Sequence, residues 1–574
     1  MQLLSKSRLS LSNFKADQRS FLWVILLFIL SLLVRLIYAL QIEFPPLDDP
    51  AYYIQAARGL GGPRPLDFEV GIIWNFQPLF ETVRHPGMEF WMPLSSFAIA
   101  LSNWLFGNSF FSAQLPGILA GSLLPLYTYW FGRRFLSFGL SLLAGLLVAF
   151  NPLLVYQSTL PDSSMLYAAL IGAALLLWPP SSPKPQFTKA FTFGLLVGLA
   201  YLARTPAIFL AFTWVLVTVW EQGRHLTFRL RNKNPLANPQ SIDHSHNLKS
   251  WPTLLGIILP IASWSLRNWL LFGFVTSPAG TQTIFLLDYQ DLFNYRAPLT
   301  LQSWLAAGPS QIISVRLEAL VSAWRNVLDP LSPPTALLAG LGLGWLAKRE
   351  SSVRPAALYT LLLFLGVPLI FGVASLNGSY YHSAASSAPF LTVGLVYLVK
   401  NLGLSSKSRV RATGQTSEPA SKLKPDQSPM PQASTHHLQP FFTQPSTLIL
   451  VGLVLLNLVL LPLNAGPAIE VHRQDKALFG RVKLWLDNHP TQVVITNQPA
   501  TLNYVTAGRV GAVRLPTNQD LTILEEVARK YGANYIILTE QAGRYPALLD
   551  ASTNIRFPMV HQGGDFEVFA VPAT

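Results

Sequence analysis

Leu47-Asp48-Asp49-Pro50-Ala51-Tyr52-Tyr53 puts two adjacent carboxylates just after the first apolar run of the chain, residues 21–40. A carboxylate where a helix leaves the bilayer can take a proton from a hydroxyl or amine attacking a lipid-borne substrate. The plain alternative is a solvated acidic loop. Other polar groups fall at the ends of later apolar runs: Arg84-His85-Pro86, Asp162, Arg204, Arg267-Asn268 and Tyr380-Tyr381-His382. Polar groups at membrane depth are costly, so those that persist are read as functional. Acids and cations converging on one face suit a reaction between an anionic lipid donor and a neutral nucleophile. The arginines would grip a phosphate through paired, charge-assisted hydrogen bonds.

Each group also has a structural reading. Arg204 and Arg267 can snorkel to lipid headgroups. Asp162 follows Pro161 and can cap a helix starting at 163. His85 and His382 could join the carboxylates around a divalent metal, but their spacing matches no metal motif, so the reading carries no metal and no cofactor.

These residues must be positioned by a membrane fold. The chain has 574 residues, 51% hydrophobic and only 12% charged, with a mean hydropathy of +0.36. Soluble domains carry about 25% charged residues. The first run is too long for a signal-peptide core and reads as a retained anchor. The net charge of +13 gathers in segments flanking apolar runs, as in cytoplasmic membrane loops, and does not mark a nucleic-acid binder. There is no cysteine, which excludes disulfides, thiol catalysis and cysteine-ligated metals.

Apolar runs predict about 11 transmembrane helices, at 21–40, 110–131, 135–157, 163–179, 190–203, 206–220, 251–270, 332–347, 355–375, 384–402 and 443–464. The pair around Arg204-Thr205-Pro206 can also be read as one bent helix. Residues 88–107, with tryptophans near both ends and Pro93 inside, read as an interfacial helix. All the basic segments then face the cytoplasm. The expected order is a cytoplasmic N-terminus over 1–20, a membrane domain over 21–402 with its outer loop at 41–109, and a disordered cytoplasmic linker over 403–442. A last span at 443–464 leads to a small extracytoplasmic α/β domain over 465–574. In that domain 493–496, 535–538 and 566–571 read as strands. Residues 521–531 read as an amphipathic helix stopped by Gly532. A second outer loop spans 271–331, and a helix is expected over 50–60.

The ordered set of motifs resembles the membrane-embedded GT-C glycosyltransferases, in the branch of protein O-mannosyltransferases and the bacterial lipid A aminoarabinose transferase. Asp48-Asp49-Pro50-Ala51-Tyr52 resembles the family's Asp-Glu-x-x-Tyr. Arg84-His85-Pro86-Gly87 with Phe90-Trp91 resembles its basic-Pro-Pro-x-x-x-Trp stretch. Leu105-Phe106-Gly107 to Pro116, Leu160-Pro161-Asp162, Gly198 to Arg204, and Arg267-Asn268-Trp269 to Gly273 resemble later signatures. Departures are Asp49 for glutamate, His85 for lysine or proline, and Gln114 for arginine.

The resemblance implies transfer of a sugar, with inversion, from a polyprenyl-phosphate carrier to a protein, lipid or glycan at the outer face of the plasma membrane. Asp48 is then the first choice for general base, Asp49 the second, and Asp162 a supporting carboxylate. Tyr52, Arg84, His85, Arg204, Arg267 and His382 are the expected substrate-binding residues. A transporter or flippase of lipid-linked sugars would use the same cationic sites, but it calls for related halves with broken helices, and no such repeat is visible. An extracytoplasmic sensor built on 465–574 would leave the many spans unexplained.

Overall fold

The structure is a computed structural model that describes residues 2–46, 48–62, 64–179, 186–231, 250–326, 332–412, 445–518, 520–539, 545, 548 and 555–572. Helices dominate its first three-quarters: α1 Gln2–Ala39, α2 Asp49–Gly59, α3 Leu94–Phe106, α4 Phe110–Gly132, α5 Phe138–Ala149, α6 Pro152–Ser158, α7 Ser164–Leu176, α8 Phe187–Ala203, α9 Ile208–Arg231 and α10 Trp251–Phe272. Among the described residues seven helices are long and apolar enough to cross a membrane, or eight if α5 and α6 form one span bent by 56° at Asn151-Pro152. The protein is a multi-pass helical membrane protein. The expected figure of about 11 counted shorter apolar runs, among them those of α7 and α8, which stay at 17 residues or fewer.

Local chemistry accounts for the breaks. Arg204 is extended (φ −154°, ψ 136°) and ends α8 ahead of Pro206, so the pair at 190–220 is two helices. Glycines let helices touch: a Cβ on Gly194 of α8 would lie 2.1 Å from the carbonyl oxygen of Thr253 in α10. The last apolar run and the start of the following domain form one helix, Pro445–Asn488, so 465 is not a structural break. Helix also continues beyond 402 to Ala412; the rest of the linker expected over 403–442 lies outside the described residues.

The C-terminal region holds a mixed sheet. Its strands are β1 Ile72–Ile73, β2 Val493–Thr496, β3 Gly511–Arg514, β4 Tyr535–Thr539, β5 Met559–Gln562 and β6 Phe566–Ala570, in the order β1-β3-β2-β4-β6-β5. The first three pairings are parallel and the last two antiparallel. Alternate side chains leave a strand on opposite faces. Ile495, Val513 and Ile536 accordingly pack on the helix Leu521–Tyr531, while Val494, Ala512 and Ile537 pack on the end of the helix Pro445–Asn488. Gly532 ends the former helix in the left-handed region, φ 65°.

The edge strand β1 comes from the first loop. Ile72 pairs with Ala512 and Ile73 with Val513. Gln55 of α2 donates to Asn503 Oδ1 at 2.6 Å, and Tyr531 donates to the Phe80 carbonyl at 3.0 Å. The second loop joins them, with Thr517 N–H donating to the Phe293 carbonyl at 3.1 Å. Three segments separated in sequence by membrane helices therefore form one cap on one side of the helical body.

Candidate active site

The acidic pair sits where this cap meets the helices. Asp49 opens α2 with Pro50 in its first turn, a position where a missing N–H costs nothing. Asp48 precedes it in a conformation that L-residues seldom adopt (φ 62°, ψ −90°). Phe68 and Met88 of the same loop also have positive φ. Such strain persists where surrounding packing imposes it, and it gathers at functional sites. The packing here is aromatic: Tyr52 lies 4.0 Å from Trp91, ring centre to ring centre, and Trp74 4.8 Å from Trp91.

A cavity of about 340 Å³ opens beside α2, within the size range of small-molecule sites. Asp49, Tyr53, Trp74 and Trp91 line it from the first loop, and Tyr201 and Arg204 from the end of α8. Thr276, Ser277, Thr281 and Tyr289 line it from the second loop, and Asn377 and His382 from the kinked segment near 380. Burial pushes the Asp49 carboxyl up, while His382, Arg204 and the Trp91 indole pull it down. Asp162 is buried and faces the same group: its Oδ2 lies 3.3 Å from His382 Nδ1. Asp162 is not the N-cap expected of it: α7 starts at Ser164 with Ser163 in the cap position, and Asp162, one residue earlier, accepts from the Ser164 N–H at 2.8 Å. Ser164 Oγ lies 2.8 Å from His382 Nδ1. Arg204 donates to Ser163 Oγ at 2.7 Å, and its Nε has no protein partner.

Asp48 turns the other way. Its Oδ2 lies 3.6 Å from Arg514 Nη1, while its Oδ1 is buried without a hydrogen-bond partner. Burial raises this carboxyl to about 6, Arg514 works against that rise, and Asp49 adds to it. Asp48 and Asp49 both border Tyr289, whose phenol is pushed up by burial first and by the two carboxylates next.

The structure thus brings together Asp49, Asp162, Arg204 and His382, with Asp48 adjoining, and separates the other expected residues from them. Arg267 gives its guanidinium to the first loop, donating to the carbonyls of Leu66 (3.0 Å), Asp67 (2.8 Å) and Gly87 (2.9 Å). It also lies over the Trp264 ring at 4.6 Å. Tyr52 is buried, accepting from the Met88 N–H at 2.9 Å and donating to Glu89 Oε2 at 2.7 Å. His85 is buried against Phe80 with both ring nitrogens unpartnered, and burial lowers it to about 3. Arg84 is exposed on the cap and donates to the Gly508 carbonyl at 3.1 Å. Among the described residues no three His, Cys, Asp or Glu side chains converge as a metal-ligand set. Sequence reasoning missed Glu89, Ser163, Ser164, Tyr289 and Arg514. The one signal for Arg514 was an arginine closing an apolar run, which is also what an exposed strand end looks like.

A family model described as dolichyl-phosphate-mannose-protein mannosyltransferase matches residues 84–235. The crystal structure of ArnT from Cupriavidus metallidurans bound to undecaprenyl phosphate is similar over 96% of this chain and 98% of that one, with a TM-score of 0.51 and 13% sequence identity. The fold is that of ArnT. The apo structure of the same enzyme matches 96% of this chain and 99% of its own, at 12% identity and a TM-score of 0.49. No curated protein matches the chain. The resemblance to protein O-mannosyltransferases and the aminoarabinose transferase read from the sequence is borne out as a likeness, over 84–235 for the family model and in the fold for ArnT.

Proposed function

We propose that this chain is a GT-C glycosyltransferase that moves a sugar from a polyprenyl-phosphate carrier to an acceptor hydroxyl or amine. The observation that carries this reading is the cavity lined by Asp49, Arg204 and His382, with the strained Asp48 next to Asp49. Arg204 grips the carrier's phosphate; its Nε has no protein partner, which leaves it free to donate. Asp48 is the general base. Its unpartnered Oδ1 can accept a proton, and a carboxyl raised from 3.8 to about 6 lies closer to the neutral pH at which a general base works best. Asp49, Asp162 and His382 orient the donor. The acceptor oxygen or nitrogen bonds to the anomeric carbon and its proton passes to Asp48. The bond from that carbon to the phosphate oxygen breaks, and the polyprenyl phosphate leaves with the electron pair. A single displacement of this kind inverts the anomeric centre.

The basic segments that flank the apolar runs set the cap on the outer face of the plasma membrane. The test is deletion of the gene, with cell-envelope glycans and lipid-linked sugars compared by mass spectrometry, and complementation with single variants. Loss of one sugar from a glycan while its lipid donor accumulates supports transfer. Loss of the donor from the outer leaflet alone points to a flippase. Asp48→Asn should slow transfer by about 10²–10⁴-fold with protein level and donor binding intact. If Asp49→Asn carries that loss and Asp48→Asn does not, the base is Asp49.

A further inference from the structure

We propose that the C-terminal domain supplies a working part of the active site: Arg514, at the end of β3, is a positioning residue that keeps Asp48 ionised and aimed. This rests on Asp48 being the base. The geometry is specific. Arg514 Nη1 lies 3.6 Å from Asp48 Oδ2 and donates to the Asn497 carbonyl at 2.6 Å. Its guanidinium carbon sits 3.8 Å above the centre of the Phe293 ring. The arginine is therefore gripped by three parts of the cap: its own strand, the loop after β2, and the second outer loop. Its strand is the one that pairs with β1, only a few residues from the site-lining Trp74. Asp48 also reaches this domain through its backbone, its N–H donating to Thr501 Oγ1 at 3.4 Å.

A carboxylate taken out of water needs a counter-charge to stay ionised, because burial favours its neutral form. The charged and titratable groups facing Asp48 are Arg514 from β3, Asp49 from α2 and Tyr289 from the second loop. Asp49 works against ionisation of Asp48. His382 and Arg204 act on Asp49, on the cavity side. Arg514 is the cation that acts on Asp48, and without it the base would stay protonated until a higher pH. The same contact fixes where the carboxylate points, since the guanidinium is itself held on an aromatic face.

The experiment measures the pH dependence of kcat/KM for the purified full-length protein, with the lipid-linked sugar that accumulates in the deletion strain. Arg514→Gln should move the acidic limb of the profile to higher pH. For each pH unit moved, the rate below the limb falls about tenfold, and at high pH the variant should recover most of its rate. Arg514→Lys keeps the charge and should leave the limb close to its original place with a lower plateau. Phe293→Leu removes the ring under the guanidinium and should shift the limb in the same direction by less, which preserves the test if the glutamine variant does not fold. An Arg514→Gln profile lowered by one factor at every pH would overturn the proposal and make the arginine merely structural. An active Asp48→Asn variant would instead defeat the assignment of the base, a separate failure.

Discussion

Glu89→Gln isolates the energetic effect of one buried carboxyl. Glu89 is 1% exposed, behind the aromatic layer of the first loop, where its Oε2 accepts the Tyr52 hydroxyl at 2.7 Å. Burial pushes its carboxyl from 4.5 up to about 7, with Tyr52 and Arg267 opposing. The folded protein therefore holds this proton at a pH where the unfolded chain has already released it. Stability falls as pH rises between 4.5 and about 7, and the cost is complete above that window. A rise of about 2.5 in pKa corresponds to about 3 kcal/mol. Glutamine keeps the shape and an oxygen to accept from Tyr52, and it never ionises. Near pH 4.5 the variant should match the parent, and at pH 8 it should be more stable by up to about 3 kcal/mol. Tryptophan-fluorescence melting of detergent-purified protein at both pH values reads this as a gap that opens with pH. A gap that is constant with pH, or a variant less stable at pH 8, would refute the reasoning by showing that the native carboxyl is ionised and satisfied.

Arg267→Gln and Arg267→Lys should both cost roughly 2–4 kcal/mol, because neither can serve the three first-loop carbonyls that the guanidinium spans. Melting temperature should drop in both while KM for the lipid donor in the surviving protein is unchanged; a raised donor KM with normal stability would return Arg267 to phosphate binding. Gly194→Ala should destabilise by roughly 1–3 kcal/mol in the same melting assay, since its Cβ would meet the Thr253 backbone at 2.1 Å. Gly344→Ala, where a Cβ has nothing within 4 Å, should be neutral or slightly stabilising, and equal effects at the two glycines would sink the packing argument.

How far the sequence could be read depends on whether a feature is local. The helix Leu521–Tyr531 matched its expected bounds because its apolar spacing and its Gly532 stop are both within one window. β2, β4 and β6 were visible as short runs of Val, Ile and Phe. The start of α2 was marked by Pro50. Local motifs also picked out Asp49, Asp162, Arg204 and His382, which line or adjoin one cavity. What failed needed partners far along the chain. A strand of two residues, Ile72-Ile73, has no period to detect. Arg267 looked like an anion site because its acceptors are backbone carbonyls, which any sequence would supply. Asp48 and Arg514 belong to different domains, and no spacing links them. The shorter apolar runs reached the composition of a span without reaching the helix length, which explains the higher expected number.

The pairing of Ile72 with Ala512 has a consequence for biosynthesis. About 440 residues separate the two strands, and a ribosome adding about 5–20 residues per second takes roughly 20–90 seconds to bridge them. Throughout that interval the first loop lacks its neighbour strand and the counter-ion of Asp48. The surroundings of Asp48 therefore reach their final form only when nearly all of the chain has been made.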